Sequence, residues 1–314
     1  MIPVLDSETY AQHMFDLPRP GQEDVLAFYE HRVGAICRDP KLMLIPLDDH
    51  LVHRGDGVFE TLKYIDGKLY QLDPHIERMQ RSSSAIFLEP PCPWEKLREL
   101  VLEVARAGEA QQGLVRILLG RGPGGFGIDP KECPEPSLYL VAYALHPKGE
   151  DAYERGVTSY RSSIPAKQSY MATIKSIDYL PNMLMKREAQ EKGFDFGLCF
   201  DDNGFLAEGS TENCCIVDQA GVIHVPTFTN SLAGTTLLRG IELLKGEVET
   251  CFCSFSEEEI LAAKEFMVVG TTIDALPVVS FNKQPIGDGK PGPVCRRMRE
   301  LLRADLLENG TPIF

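Results

Sequence analysis

The sequence predicts a two-domain α+β fold, and three observations lead to this prediction. The chain has 314 residues, which is more than one ordinary domain usually needs. Short runs of alternating apolar and polar residues are separated by turn pairs such as Asp66-Gly67 and Asn203-Gly204, a pattern typical of antiparallel strands. Helical patterns such as PWEKLRELVLEVARAG lie between these runs. The chain therefore mixes antiparallel sheets with helices.

The polar segment 146–156 divides the chain and predicts an interdomain linker. Residues 1–30 are mixed in character and form a predicted N-terminal extension. Residues 31–145 then make up an N-terminal α+β domain, and residues 157–314 make up a larger C-terminal domain.

The elements of the first domain follow from turn and cap signals. Asp66-Gly67 joins two strands into a hairpin. Asp73 is the expected N-cap of the next helix, with Pro74 at its first position. The helix in PWEKLRELVLEVARAG ends at Gly108. Two strands, GLVRILLG and PSLYLVAYAL, are joined by a loop rich in Gly and Pro.

The second domain opens with the strand VTSYRSSI, followed by an expected extended run at Met171–Ile174. A helix ending at Gly193 precedes several short strands. Further helices are expected in TLLRGIELL, after the Ser256 cap, and from about GPVCRR onward. The run FMVVGTTIDALPVVSF predicts an apolar strand interrupted at Gly270.

Composition excludes some partners. Hydrophobic residues make up 43% of the chain and charged residues 25%, and the formal net charge is −14. This charge argues against nucleic acid or an anionic membrane as the main partner, although a few local cations can still hold an anionic ligand. No apolar run is long enough to span a membrane, and the N-terminus does not resemble a signal peptide. We therefore expect a cytoplasmic protein.

The nine cysteines show no repeated metal-ligand spacing, so no metal site is expected. Cys214-Cys215 and the pair Cys251 and Cys253 are the only clusters. Cys251 and Cys253 alternate along a predicted strand, which leaves a metal or redox role open. Buried free thiols are the more common explanation of such cysteines.

The segment Gly120–Gly125, GRGPGG, matches the spacing of a dinucleotide-binding loop. Such a loop needs a helix directly after it, so that the helix N-terminus faces the pyrophosphate. Here FGIDPKECPEP follows, and its three prolines oppose a helix. The sequence therefore predicts a hairpin loop, with a lid as an open alternative.

Lys175 stands among apolar residues in ATIKSIDYLPN. A lysine at a strand end often extends its ammonium group into water. The alternative is a catalytic amine, because burial lowers the pKa of lysine and a neutral amine is a nucleophile and a base. The local sequence leaves both interpretations open.

Two GTT turns suggest an anion site. Gly234 to Thr236 stands at the start of a predicted helix, where unpaired backbone amides can hold a phosphate. Gly270 to Thr272 ends an apolar strand and also exposes amides. Simple N-capping by threonine is the common alternative. Glu208, before a Gly-Ser-Thr bend, either caps the turn or presents a carboxylate to a cationic ring.

Together these segments resemble the class IV aminotransferases of fold type IV, which bind pyridoxal 5'-phosphate. The resemblance covers about residues 45–300. It rests on HRGDGVFETLKYIDGKLYQLDPHIERMQRS, on the run from Ile174 to Asn213, and on LAGTTLLRG and VVGTTIDALPVV. It implies a two-domain enzyme whose C-terminal, cofactor-binding domain is a pseudo-barrel, and a homodimer.

The resemblance also implies roles for single residues. Lys175 matches the Schiff-base lysine, Glu208 the partner of the pyridine nitrogen, and Arg78 the arginine that holds the phosphate. The other cofactor contacts that it implies are Tyr179, Gly234, Thr235, Thr236 and Thr271. Phe59, Arg116 and Thr272 are the expected substrate contacts.

The implied function is transfer of an amino group between an amino acid, preferably branched-chain, and a 2-oxo acid. A D-amino-acid aminotransferase and an aminodeoxychorismate lyase are the alternatives within the family. A catalytically silent pyridoxal-phosphate-binding protein is the alternative outside it. Bacterial D-amino-acid enzymes place an arginine and a histidine in the loop that corresponds to GRGPGGFGIDP, whereas this loop has no histidine. The loop and Arg116 resemble the branched-chain pattern instead.

Overall fold

Two β-sheets organise the chain, and the computed structural model describes residues 1–314. The first sheet has seven strands, which pair antiparallel in the order β16-β4-β3-β5-β6-β1-β2. These strands are β1 Val25–Glu30, β2 Ala35–Cys37, β3 Gly57–Ile65, β4 Lys68–Leu69, β5 Gly113–Gly120, β6 Ser137–Tyr143 and β16 Thr311–Pro312.

The second sheet has nine strands and holds most of the C-terminal half. Its order is β12-β11-β10-β13-β14-β7-β8-β9, with β15 paired to β14. The β11–β12, β14–β7 and β7–β8 pairs are parallel, and the other pairs are antiparallel. These strands are β7 Val157–Arg161, β8 Phe196–Phe200, β9 Leu206–Gly209, β10 Asn213–Val217, β11 Ile223–Val225, β12 Thr250–Phe252, β13 Glu265–Gly270, β14 Asp274–Phe281 and β15 Gln284–Pro285.

The helices are α1 Ser7–Asp16, α2 His50–His53, α3 Leu72–Ala85, α4 Trp94–Ala107, α5 Glu150–Arg155, α6 Ser169–Ala172, α7 Leu180–Glu191, α8 Thr235–Leu243, α9 Glu257–Leu261 and α10 Pro293–Asn309. Helices α3 and α4 pack on the first sheet, and α7, α8 and α10 pack on the second. None of the helices has both the length and the apolar character that a membrane crossing requires.

Alternation along β3 sets the two faces of the first sheet. Val58, Glu60 and Leu62 are fully buried on the face that α3 and α4 cover. Phe59 and Thr61 point to the opposite face, which is turned toward the second half of the chain. This strand therefore contributes both to the first core and to the space between the halves.

The second sheet curls until β9 approaches β10. The curled sheet encloses a core that includes Phe200, Phe266 and Phe281. Alternate residues of the same strands, such as Cys215 and Met267, pack outward against α8 and α10. The α+β class and the pseudo-barrel of the second domain, both predicted from the sequence, are confirmed.

Two local predictions are wrong. The α3 helix begins at Leu72 after Gln71, which adopts a left-handed conformation, and Asp73 binds Arg98 instead of capping the helix. The Met171–Ile174 run is not extended, because it starts inside α6, where the N–H of Ala172 donates to the carbonyl of Gln168 at 2.9 Å. Burial alternates along this run, which explains why it resembles a strand.

Three features of the structure lie at the predicted domain limits. Strand β1 lies inside the predicted extension but pairs with β6 in the first sheet, so only residues 1–24 precede the sheet. Strand β16 returns the C-terminus to the first sheet beside β4. The predicted linker also contains α5, whose Glu150 binds Arg299. The division of the chain at residues 146–156 stays a prediction.

Candidate active site

A cavity between the two sheets brings together the residues that the sequence assigns to an anionic cofactor. Its walls come from α3, from the segment before α7, from β9 and from the first turn of α8. All eight predicted cofactor contacts line it, namely Arg78, Lys175, Tyr179, Glu208, Gly234, Thr235, Thr236 and Thr271. Residues as distant in sequence as Arg78 and Thr271 thus share one site.

A second cavity adjoins the first. Lys175, Tyr179 and Thr271 belong to both, so they form the boundary between the two spaces. The predicted substrate contacts line only the second cavity, and these are Phe59, Arg116 and Thr272. The first cavity is thus a polar chamber, the second is a more apolar chamber, and the amine of Lys175 lies where the two meet.

The backbone of Lys175 is held between α3 and β3. Its N–H donates to the hydroxyl of Ser82 at 3.1 Å, and its carbonyl accepts from the N–H of Phe59 at 3.0 Å. The side chain therefore starts from a fixed position, although the preceding residues form only the single turn α6.

The amine of Lys175 has no ion-pair partner. Nζ lies 3.4 Å from the hydroxyl oxygen of Tyr179 and 4.6 Å from the centre of the Phe59 ring. Burial, with a further contribution from the nearby charge of Arg78, lowers its pKa to about 8. Close to neutral pH, an appreciable fraction of this amine is therefore unprotonated.

Glu208 lies in β9, on the cavity wall. One carboxylate oxygen accepts the N–H of Leu232 at 3.0 Å. Burial raises the pKa of this carboxyl to about 7, although the Leu232 bond and the charge of Lys167 oppose the rise. A cationic partner in the cavity would ionise Glu208 fully, which suits it to face a protonated ring nitrogen.

The first turn of α8 is an open anion site. No side chain caps the helix, so its first backbone amides lack intrahelical acceptors. Gly234 stands at the N-cap with φ −71°, so it is not required there by its backbone conformation. It is required by space, because a Cβ atom at this position would overlap the side-chain amide of Asn213.

Arg78 is buried and faces this turn, but two of its three guanidinium nitrogens are already paired with Glu60. Nε and Nη2 donate to the two carboxylate oxygens of Glu60 at 2.7 and 2.8 Å. Only Nη1 extends toward α8, where it donates to the carbonyl of Ala233 at 3.3 Å. Glu60 therefore orients the arginine that lines the cavity.

Glu60 and His75 were missed by the sequence analysis. His75 Nδ1 lies 2.7 Å from Glu60, and its Nε2 lies 3.2 Å from the hydroxyl of Thr235. Burial acts to raise the pKa of Glu60. The charges and hydrogen bonds of Arg78 and His75 outweigh burial and hold this pKa well below its usual range. One signal could have identified Glu60, since it occupies a core-facing position of the alternating run GVFETL, where a carboxylate needs partners.

Lys167 also lines the cavity and was not predicted. Its Nζ donates to the carbonyl of Asp178 at 3.2 Å and lies 4.9 Å from the centre of the Tyr179 ring. Burial lowers its pKa. It is the second cation near Glu208, and no motif in the sequence marks it.

Arg116 extends from β5 into the second cavity and not to the loop residue Asp129. Its guanidinium lies 5.7 Å from the Phe59 ring centre and 5.5 Å from that of Tyr143. Nε donates to Thr61 at 3.4 Å. Asp129 instead accepts the backbone N–H of Lys131, so no carboxylate neutralises Arg116.

The GRGPGG loop has the geometry predicted for it, because no α-helix follows it directly. Its first turn of regular structure is a 3₁₀ helix at Pro130–Glu132. Arg121 is held by both oxygens of Asp56 at 2.9 and 3.0 Å and also donates to the carbonyls of Ile86 and Phe87. Arg121 therefore ties the loop to Asp56 and to the end of α3.

The donor set of the first cavity fits a phosphorylated pyridine aldehyde. The α8 amides and the cation of Arg78 suit a phosphate. Glu208 suits a protonated ring nitrogen, and the unpaired amine of Lys175 suits an aldehyde carbon. The uncapped amides and the unpaired lysine have no other ligand among the residues around them.

Comparison with known proteins identifies the family. A family model described as amino-transferase class IV matches residues 57–281. The chain is 36% identical to the chloroplastic D-amino-acid transaminase of Arabidopsis thaliana, over 99% of this chain and 84% of the relative. It is 28% identical to the branched-chain-amino-acid aminotransferase of Escherichia coli strain K12, over 80% of this chain and 84% of the relative.

Solved structures agree with this assignment. A T.th. branched-chain amino acid aminotransferase with pyridoxamine 5'-phosphate superposes with a TM-score of 0.85 at 26% identity, covering 90% of this chain and 94% of that one. The same enzyme complexed with N-(5'-phosphopyridoxyl)-L-glutamate superposes with a TM-score of 0.84 at 26% identity, covering 90% of this chain and 95% of that one. The chain therefore belongs to the class IV aminotransferases, and it is a pyridoxal-phosphate-dependent aminotransferase.

Proposed function

We propose that the chain transfers an amino group between a branched-chain amino acid and a 2-oxo acid such as 2-oxoglutarate. The observation that carries this proposal is the position of Lys175, whose unpaired amine stands between the polar chamber and the apolar one. A cofactor in the first chamber and a substrate in the second then meet at this amine.

Each residue of the first chamber has a proposed role toward pyridoxal phosphate. Arg78 and the amides of Thr235 and Thr236 hold the phosphate. Glu208 keeps the pyridine nitrogen protonated, and Tyr179 bonds the ring hydroxyl. When bound, the cofactor withdraws electrons from the Cα–H bond of the substrate.

Lys175 is the proposed base. With cofactor and substrate bound, its neutral amine would remove the proton from the substrate Cα and hold it for return, while the cofactor would supply the electron sink. Proton transfer by a positioned base contributes about 10²–10⁴-fold to a rate. The bonds of its backbone to Ser82 and Phe59 fix the position from which the amine acts.

The second chamber supports the choice of substrate. Phe59, Leu118, Ile177 and Ile273 provide apolar wall, which suits a branched aliphatic side chain. Arg116 adds one unneutralised cation to that wall. The same chamber thus suits the second carboxylate of glutamate or 2-oxoglutarate in the other half-reaction.

A D-amino-acid aminotransferase is the second candidate. The 36% identity to a D-amino-acid transaminase supports it. Against it stands Arg121, the arginine of the loop in which the bacterial D-amino-acid enzymes hold the substrate carboxylate. Its fork is occupied by Asp56, so it is not free to bind a substrate.

A panel of L- and D-amino acids with 2-oxoglutarate and pyruvate tests the proposal. We expect L-leucine, L-isoleucine or L-valine with 2-oxoglutarate to give the highest kcat/KM, with L-glutamate identified by chiral analysis. D-glutamate or D-alanine as product favours the second candidate. Release of pyruvate and 4-aminobenzoate from aminodeoxychorismate indicates the lyase. Cofactor binding without any turnover indicates a silent binder.

We further propose a homodimer. Large apolar side chains are exposed in segments that contact one another near the GRGPGG loop, and these include Phe87, Phe126, Ile128 and Tyr170. Exposed apolar groups of this size are typical of an interface. Light scattering coupled to gel filtration should give twice the 35.0 kDa chain mass.

A reducing compartment such as the cytoplasm is proposed from the cysteines. All nine are free, and several are buried in the core. Fractionation of cells with an antibody against the chain tests this proposal.

A further inference from the structure

Two cysteines and a histidine meet at the edge of the second sheet, away from the cavities described above. His224 lies in β11, and Cys251 is its register partner in the parallel strand β12. Cys253 follows two residues later, so its side chain returns to the same side as that of Cys251. One ligand atom from each of these three residues lies within 4.8 Å of the other two.

The ring of His224 is held in a defined orientation. Its Nε2 lies 2.9 Å from a carboxylate oxygen of Asp218, and its Nδ1 lies 3.2 Å from the sulfur of Cys253. The other oxygen of Asp218 accepts the N–H of Val222 at 2.9 Å, which fixes the carboxylate in the turn before β11. Because Nε2–H donates a hydrogen bond to Asp218, Nδ1 carries the free lone pair of the ring, on the side of the Cys253 sulfur.

We propose that His224, Cys251 and Cys253 bind a zinc ion, with Asp218 orienting His224 from behind. The structure places two soft thiol ligands and one imidazole together, which is a ligand set that zinc prefers. The carboxylate on the far nitrogen of a ligating histidine is the usual support for such a ligand.

The distances suit the ion. In a tetrahedral site with Zn–S of about 2.3 Å and Zn–N of about 2.0 Å, ligand atoms lie about 3.5–3.8 Å apart. The 3.2 Å between Nδ1 and the Cys253 sulfur needs only a small opening to reach this value. Cys251 is exposed, so the fourth position faces solvent and takes a water molecule.

Binding is an exchange of ions. Zn²⁺ replaces the two thiol protons, which pass to the buffer, and no oxidation is involved. The set of protein ligands and metal is then neutral, since two thiolates balance the charge of the ion. The sequence offered Cys251 and Cys253 as a candidate pair, while His224 and Asp218 join them only through the pairing of β11 with β12.

Metal titration of the reduced, cofactor-loaded enzyme tests the proposal. We expect one Zn²⁺ per chain in competition with a chromophoric chelator. Co²⁺ should give the visible bands of a tetrahedral ion and a thiolate charge-transfer band. C251S, C253S and H224Q should each lower the affinity at least about 100-fold, and D218N about 10–100-fold.

C37S and C133S are the matched controls, because neither cysteine belongs to a cluster of three potential metal ligands. Both variants should keep the wild-type stoichiometry and cobalt spectrum. Transaminase activity and thermal unfolding measured without added metal should be unchanged in all variants, which shows that they fold.

Two results overturn the proposal. The first is the absence of Zn²⁺ binding by the reduced wild type, or binding that persists unchanged in C251S and C253S. The second is a disulfide between Cys251 and Cys253 that survives strong reductant, detected by peptide mass spectrometry.

Discussion

Arg78 directs its Nε and Nη2 at the two carboxylate oxygens of Glu60, at 2.7 and 2.8 Å, and both side chains are buried. The arginine expected to hold the cofactor phosphate is thus already paired in the fold. His75 binds the same carboxylate and extends the network to Thr235 at the start of α8. Glu60 thereby links α3 to the anion site, although it does not line the cavity itself.

Glu60→Gln should destabilise the cofactor-free protein more than the cofactor-loaded one. The substitution leaves the Arg78 charge buried without its partner, which typically costs about 3–5 kcal/mol. A bound phosphate restores an anion beside Arg78 and offsets part of this loss. Urea unfolding with and without pyridoxal phosphate measures the difference. Glu77→Gln, at an exposed position of the same helix, is the control. Equal losses in both forms would show that Glu60 does not act through the anion site.

Lys175 should react as a neutral amine at lower pH than other lysines. Its pKa is lowered to about 8, so its reactivity rises through pH 8 as the proton leaves. The pH dependence of pyridoxal phosphate attachment to the cofactor-free protein, trapped with borohydride, measures the midpoint. Peptide mapping should find the label on Lys175, with exposed Lys245 as an internal reference.

Arg78→Gln should raise this midpoint toward the ordinary lysine value. The reason is that, after burial, the Arg78 charge contributes most to the lowered pKa of Lys175. A label on another lysine contradicts the assignment of Lys175. So does a wild-type midpoint at the ordinary lysine value of about 10.4.

Glu208→Gln should slow the chemical step while the cofactor stays bound. A neutral amide cannot hold the pyridine nitrogen protonated, whereas the phosphate contacts are unchanged. Loss of one positioned charge in an active site costs on the order of 10²–10³-fold in rate. Single-turnover kinetics with cofactor content measured in parallel separates the two effects. A wild-type rate in this variant means that Glu208 only accepts the Leu232 amide.

Arg116→Ala should raise the KM for 2-oxoglutarate by about tenfold or more, and that for pyruvate much less. Only the longer acceptor carries a second carboxylate to pair with the guanidinium. Steady-state kinetics with each acceptor gives the two ratios. Arg98→Ala, which removes a partly exposed arginine paired with Asp73, is the control. Similar losses for both acceptors would indicate that Arg116 supports the cavity wall through Phe59 and Tyr143.

Lys63→Met should destabilise the fold by about 3–5 kcal/mol, because it leaves the buried carboxylate of Asp274 without its ion-pair partner. Lys63 in β3 and Asp274 in β14 form a buried pair of 2.5 Å that joins the two sheets. Asp274 has a φ of 53°, which asparagine tolerates. K63M/D274N should therefore recover much of the loss. A double-mutant cycle from urea unfolding measures the coupling, and additive losses would argue against a direct interaction.

Local signals predicted most of the secondary structure. The turns Asp66-Gly67 and Asn203-Gly204 lie between paired strands, and Ser256 forms a capping box with Glu259. The errors arose where two local signals competed. Asp73-Pro74 satisfies the rules for a helix start, yet the helix begins earlier because Gln71 adopts a left-handed conformation that its residue type does not indicate.

The sequence alone determined the class of this protein, through the resemblance of its motifs to those of the class IV aminotransferases. A lysine among apolar residues, two GTT turns and a carboxylate before a bend are each chemically ambiguous, but together they favour an anionic cofactor, and their match to the family's motifs implies which one. Their residue types are dictated by that chemistry, so they can be read from the sequence without knowledge of distances.

Only the tertiary structure decided how those residues are supported. Glu60 and His75 come from a strand and a helix and reach Thr235 across the cavity wall. His224 joins Cys251 and Cys253 because β11 pairs with β12. Ion pairs and metal ligands depend on contacts within a few ångströms between segments distant in sequence. Those contacts are created by the packing of the sheets, which no local pattern of residues records.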